Sequence, residues 1–383
     1  MQMLRGFPIL AGALILLASC DQVGFATQNT QQNDGVITAA EWQAIVSRGR
    51  TGGVVDLGTQ RVEFTRGPIT APANAPLIIR GGRFGAVTLD GWTNVSFVGS
   101  TFTAGTNHQQ SAPLILAYNV RNLTIDRARF TAAPGYAGAG RLGSISLRGG
   151  DGITIRNSTF QNIGNFLSLL RSTNVVIERN DFIGLNEGVV VVGADRVRIS
   201  GNRFGPYVAS DSNHRDGVQL FTTGLTQAGD RAASNVVIEN NLIYSDSTSR
   251  SQGVFIRDEA GLYRQGRGYR NITVRNNLLV GTGWHGIAAV DPVQNMLVEN
   301  NRLYTLLGPG DRVTNNWIMV GGPSWTTPAI VRGNIHGRSN IQPGTVATNN
   351  RSLPPITAGD AQALILQWQQ GNRAQAGRGA NSL

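Results

Sequence analysis

The chain contains no lysine: all 33 of its basic residues are arginine. No lysine is therefore present to act as a general base or Schiff-base nucleophile. It has one cysteine, Cys20, so no disulfide can form within the chain. Only 15% of residues are charged, and no Pro-rich or Ser-rich linker breaks the 383 residues into parts. The longest apolar run, 7–17, is too short to span a bilayer as a helix. Ser-His-Asp elbow, phosphate-loop and Cys/His zinc spacings are missing. So is any EF-hand or nonapeptide calcium motif. The net charge of +10 points to an anionic partner. A genome that writes Arg at neutral surface positions would give the same excess. No aromatic-basic motif supports nucleic acid as that partner.

What is present is a nine-residue phrase, x-V-x-V-x-N-N-x-F, with conservative exchanges. Copies begin at Pro76, Asn94, Asn122, Gly152, Asn174, Arg196, Asn235, Asn271 and Asn295, and a worn copy ends at Ile335. Apolar residues two apart predict a strand, and the small polar pair that follows predicts a turn. Steps of 22 residues (152 to 174 to 196) and 24 (271 to 295) are too short for two helices and a turn. They suit three short strands and three turns. Longer steps imply loops inserted at one corner. Asn tolerates positive φ at turns, and stacked Asn side chains can bond along a ladder.

Over about residues 50–350 these features resemble the pectate-lyase-like superfamily of right-handed β-helices. The expected fold is all-β: a parallel β-helix of roughly ten coils with an N-terminal cap helix and a C-terminal helix. Thr38-Ala39-Ala40-Glu41 reads as a capping box leading into Trp42, Ile45 and Val46. Residues 361–370, with Leu364, Ile365 and Trp368, read as a second lid over an open end. The expected organisation is a signal segment over 1–20, a tether over 21–35, one domain over 36–370 and a disordered tail over 371–383. Arg5, the apolar run and Leu17-Ala18-Ser19-Cys20 resemble the bacterial lipoprotein box. That resemblance implies cleavage before Cys20, lipidation of Cys20 and anchorage in a Gram-negative envelope, facing the periplasm or the cell surface. Asp21 resembles the inner-membrane retention signal of enteric bacteria. A monomer is expected.

After each phrase comes a second apolar strand. Alternation places Val189/Val191, Val218/Leu220, Val254/Ile256, Ile287/Ala289 and Trp317/Met319 inward. It places Gly188, Gly217, Gly253 and Gly286 outward, as a bare strip open to a ligand or as corner residues. Before each glycine stands a polar residue: Glu187, Asp216, Gln252 and His285. His214, Gln219, Phe255, Arg257, Asp258, Trp284 and Asp291 lie close by in sequence. Long loops at 205–214, 222–234, 258–270 and 305–315 flank them, as functional sites on rigid stacks often require.

Three chemistries remain open. His214-Arg215-Asp216-Gly217-Val218-Gln219, then Gln252-Gly253 and His285-Gly286, resemble the active-site strands of polygalacturonase-type hydrolases. Asp216 and His285 match, whereas Ser251-Gln252 stand where that family has paired acids and the final Lys is absent. Hydrolysis would need a second carboxyl, from Glu187, Asp258 or Asp291. β-Elimination on an acidic glycan would use Arg257 as carboxylate clamp, His285 as base and Asp216 in the catalytic set. It is the reading preferred from sequence. Glu187, His214, Gln219, Gln252, Phe255, Asp258, Trp284 and Asp291 are then the substrate-binding candidates. A non-catalytic glycan-binding or structural role is the third. No cofactor is expected, although Asp216, Asp258 and Glu259 offer the oxygen ligands that calcium takes.

Overall fold

The computed structural model describes residues 35–380, except 63–70, 72–73, 107, 110–111, 135, 137–141, 165–166, 208–214, 246–250, 282–284, 307–315 and 323. His214, Trp284 and Cys20, with the signal and tether segments through residue 34, lie outside this set. The chain winds into a right-handed β-helix in which the strand pairs among the described residues are parallel. One coil shows the plan. Thr173–Glu178 forms a long wall, Asp181–Ile183 a short wall, and Val189–Val192 a third wall. Strands of the third wall form a ten-stranded sheet, one strand per coil, and the first two walls share a 23-stranded sheet.

The repeated phrase explains this geometry. Val175 and Ile177 face inward, pair with Val197 and Ile199, and are fully buried. Their β-branched side chains suit a pleated, covered surface. The phrase-final aromatic starts the short wall. Phe102, Phe130, Phe160, Phe182 and Phe204 stack at centroid distances of 4.8, 4.6, 4.5 and 4.8 Å. Asn serves two separate roles. Asn174, Asn235, Asn271 and Asn295 open the phrase at φ of 53° to 59°, where Asn is tolerated. The second Asn of the pair builds an internal ladder at the bend between long and short walls. Asn241, for example, donates from Nδ2 to Ile199 O at 2.9 Å and to Asn277 Oδ1 at 3.0 Å. Its own Oδ1 accepts from Asn202 N and Nδ2 at 2.9 and 3.0 Å. Every polar group of this buried amide is thereby paired.

The N-terminal helix, Ala39–Gly49, is held by the expected capping box. Glu41 N donates to Thr38 Oγ1 at 3.2 Å and Thr38 N donates to Glu41 Oε2 at 2.7 Å. Trp42 is buried and stacks on Trp92 at 6.1 Å, which closes the first coil. The C-terminal helix, Ala358–Ala380, behaves otherwise. It does not cover the open end. Ala361 and Ile365 pack on Leu242, Leu278, Val280 and Leu306, so the helix lies along the outside of the short wall. The apolar residues there would otherwise meet water, and burying them is the helix's driving force. The helix continues past Gly371, through most of the segment expected to be a tail. Among the described residues no helix is long and apolar enough to cross a membrane.

Candidate functional site

The glycines of the third wall point the opposite way from the expectation. A Cβ on Gly188 would lie 2.8 Å from Phe204, and one on Gly217 2.8 Å from Ile243. On Gly253 it would sit 2.1 Å from Leu279, and on Gly286 2.2 Å from Leu303. All four contacts are core side chains of the short wall. The glycines therefore face the core, and the residue after each of them, Val189, Val218, Val254 or Ile287, is buried as well. Two successive inward positions break the alternation in the manner of a β-bulge. The pairing Asp216↔Gln252 then Val218↔Val254, and the irregularity between His285 and Ile287, agree with this. The outward strip is thus the row preceding the glycines. Successive side chains along a strand point to opposite faces, so Glu187, Asp216, Gln252 and His285, each preceding an inward glycine, face away from the core.

Trp317 and Met319, expected inside, are outside. Ile318 and Val320 are fully buried in their place. This coil has no inserted glycine, so Trp317 aligns with His285 and Ile318 with Ile287. A slip of one residue reverses every face.

The acid end of the row carries the strongest electrostatic perturbation. Glu187 and Asp216 hold the same register position on adjacent coils. Burial pushes the Glu187 carboxyl up to about 7. Burial, then the charge of Glu187, raises Asp216 well above the usual carboxylate range. Asp216 is 1% exposed, and among the described residues neither of its carboxyl oxygens has a hydrogen-bond partner. Beside it the Tyr207 hydroxyl and Gln252 Oε1 are also buried without partners. Burial first, and then the Asp216 charge, raises Tyr207 as well. An ionised carboxylate in such a place would be very unfavourable, so Asp216 is held protonated. Tyr207, supplied by the connection after the short wall, was not anticipated from sequence; no local motif marks it.

The other end of the row is aromatic and cationic. His285 stacks between Phe255, at 6.1 Å and 17°, and Trp317, at 5.3 Å and 7°. Trp317 Nε1 donates to His285 Nδ1, which leaves the neutral ring's proton on Nε2. Arg338 Cζ lies 5.1 Å from the Trp317 ring centroid. Gln219 and Phe255 occupy paired outward positions in mid-strand.

Arg257, Asp258 and Asp291 do not join this group. They follow the ends of strands Gln252–Ile256 and His285–Ala289, so Arg257 is about 16 Å along the strand from Gln252. Asp258 serves the fold there. It accepts from Thr222 Oγ1 at 2.8 Å and Tyr263 N at 2.7 Å, and its own N–H donates to Asp291 Oδ2 at 2.8 Å. Asp216 and the pair Asp258 and Glu259 stand on opposite edges of the wall and cannot share a calcium ion. The long connections divide likewise. Those at 205–214 and 305–315 lead into the third wall, whereas 222–234 and 258–270 leave it. Insertions therefore occupy two corners of the coil, not one.

The profile of the family described as "Right handed beta helix region" matches residues 78–205 and 114–303. Together these cover more than half of the sequence, and the chain belongs to that family. No curated protein matches the sequence. Among solved structures, the surface protein and adhesin PfbA of Streptococcus pneumoniae aligns over 83% of this chain and 94% of its own, at 15% identity and TM-score 0.47. A tailspike protein of E. coli bacteriophage HK620, in complex with a hexasaccharide, aligns over 84% of this chain at 14% identity and TM-score 0.54. The match spans 61% of the tailspike chain. An alginate lyase from a Paenibacillus strain aligns over 83% of this chain and 99% of its own, at 13% identity and TM-score 0.39. The likeness to the tailspike is one of fold alone.

Proposed function

We propose that this protein is a polysaccharide-active enzyme that cleaves glycosidic bonds through the carboxyl pair Glu187 and Asp216. One observation carries the reading: two carboxyls, both raised by burial, stand on adjacent coils in the same outward row. Carboxyl pairs with environments that set their protonation apart are a signature of acid and base roles. Asp216, held neutral, acts as the proton donor to the leaving oxygen. Glu187, ionised for part of the time near neutral pH, acts as base or nucleophile. One coil step of about 4.8 Å is near the ~5–5.5 Å separation that goes with retention of configuration.

Two facts favour hydrolysis over the β-elimination preferred from sequence. Arg257 is at the far edge of the wall, too distant to clamp a carboxylate beside Asp216. The Nδ1 lone pair of His285 is engaged by Trp317, so its neutral ring is a donor and not a base. The envelope setting belongs to the same proposal: export through residues 1–20, lipidation at Cys20, a tether over 21–35 and one catalytic domain acting as a monomer.

Glycan binding without turnover is favoured by one observation, the near-complete burial of Asp216. The purified protein is incubated with acidic and neutral polysaccharides while reducing ends and ultraviolet absorbance are followed. New reducing ends without absorbance, lost by at least about a hundredfold in Glu187→Gln and Asp216→Asn and kept within about twofold in Arg257→Ala, are expected. Unsaturated product would replace this reading with β-elimination. Retained binding with no product would leave a binding module.

A further inference from the structure

Glu187, Asp216, Gln252, His285, Trp317 and Arg338 occupy one register position on six successive coils. At about 4.8 Å per coil the row is about 24 Å long. The row has two carboxyls at one limit, the His285 and Trp317 rings further along, and a guanidinium at the other limit. We infer that Trp317 and Arg338 form an anion subsite that receives a carboxylate of an acidic glycan lying along the solenoid axis, about 19 Å from Asp216. The inference rests on the glycan reading above and adds to it the charge and the direction of the substrate.

Three observations support it. First, Arg338 is exposed, and among the described residues it has no carboxylate partner and lies against the Trp317 face. The neighbouring arginines of the long wall differ: Arg198 and Arg275 hold Glu239, and Arg332 holds Glu299. Second, the guanidinium carbon lies 5.1 Å from the Trp317 ring centroid, a contact that restrains the side chain, and the fork of an exposed guanidinium matches a planar carboxylate bidentately. Third, Phe255, His285 and Trp317 present near-parallel rings on three successive coils, adjoining Arg338 at one end. The coil repeat is comparable to the length of one pyranose unit, so successive sugars can meet successive coils. The excess of arginine over acids across the chain is complementary to such a polymer.

Binding is measured with the full chain in detergent, on a polyuronate, on its carboxyl-reduced form, and on uronate oligomers of graded length. Glu187→Gln serves as background, so that no turnover intervenes. Arg338→Gln should weaken polyuronate binding about tenfold and leave the reduced polymer unchanged. The loss should vanish for oligomers shorter than about four units. The urea unfolding midpoint of unliganded Arg338→Gln should match that of the parent, reporting an intact coil. Equal losses on charged and reduced polymers, or none on either, overturn the subsite while leaving the glycan reading in place. Failure of every glycan to bind overturns both.

Discussion

Replacing Glu187 by Gln should make the protein more stable at alkaline pH and leave it unchanged in acid. The side chain is ionisable and enclosed, and its folded value is raised from 4.5 to about 7. A group of this kind binds more protons folded than unfolded, so its contribution declines as pH rises. Below about pH 4 both states are protonated, and the wild-type and Gln proteins should coincide. Between about pH 4.5 and 7 the wild type loses stability relative to the variant, and above about pH 7 the difference levels off. The full rise corresponds to at most about 3 kcal/mol. Part of Glu187 reaches solvent, so about 2 kcal/mol is the expected plateau. Urea unfolding followed by circular dichroism across this range gives the difference in midpoints between the two proteins. Parallel profiles would refute the claim that desolvation governs Glu187, and with it the electrostatic basis for the carboxyl pair. The variant would be the more stable and the less active protein, as expected where a site is held at the expense of stability.

Two further outcomes test the scaffold. Gly253→Ala would bring a methyl to 2.1 Å from both Leu279 Cδ2 and Gly286 O, and should lower stability by about 3 kcal/mol in chemical denaturation. Gly85→Ala, where nothing lies within 4 Å, should change stability by less than about 0.5 kcal/mol. Asn241→Ala removes an amide engaged on both sides of the ladder and strands the Asn202 donors. A loss of about 3 kcal/mol is expected, with faster amide exchange at Asn202. Exchange unchanged there would refute the ladder's role.

The coils were legible because each is encoded locally. Alternating Val and Ile, the Asn pair and the closing Phe recur within nine residues, and parallel stacking follows from burying their common face. The cap helix was legible for the same reason, since Thr38 and Glu41 suffice to mark it. What escaped depended on counting across an irregularity. Counting strict alternation through Gly217 and Gly253 turned the glycines outward, because an inserted inward residue leaves no mark in a period of two. The same count turns Trp317 inward, although its coil has no such insertion and Trp317 aligns with His285. Arg257 was grouped with Asp216 because both flank third-wall strands, although five residues of extended chain separate the two edges. The C-terminal helix was read as a lid because an apolar stripe says that something must be covered without saying which surface. Tyr207 and Arg338 enter their groups only through coils distant in sequence.

From Asn180 to Asn350 the bend where the coil turns from long to short wall is built from one interchangeable rung, an Asn bonded to the next Asn. Such a stack can gain or lose a whole winding without redesigning its interior. A winding added between Asp216 and Arg338 would move the guanidinium away from the acids by one full notch and no fraction of one. The spacing between the two ends of the row is therefore a graduated scale, and a lineage could retune it to longer or shorter polymers by duplication alone.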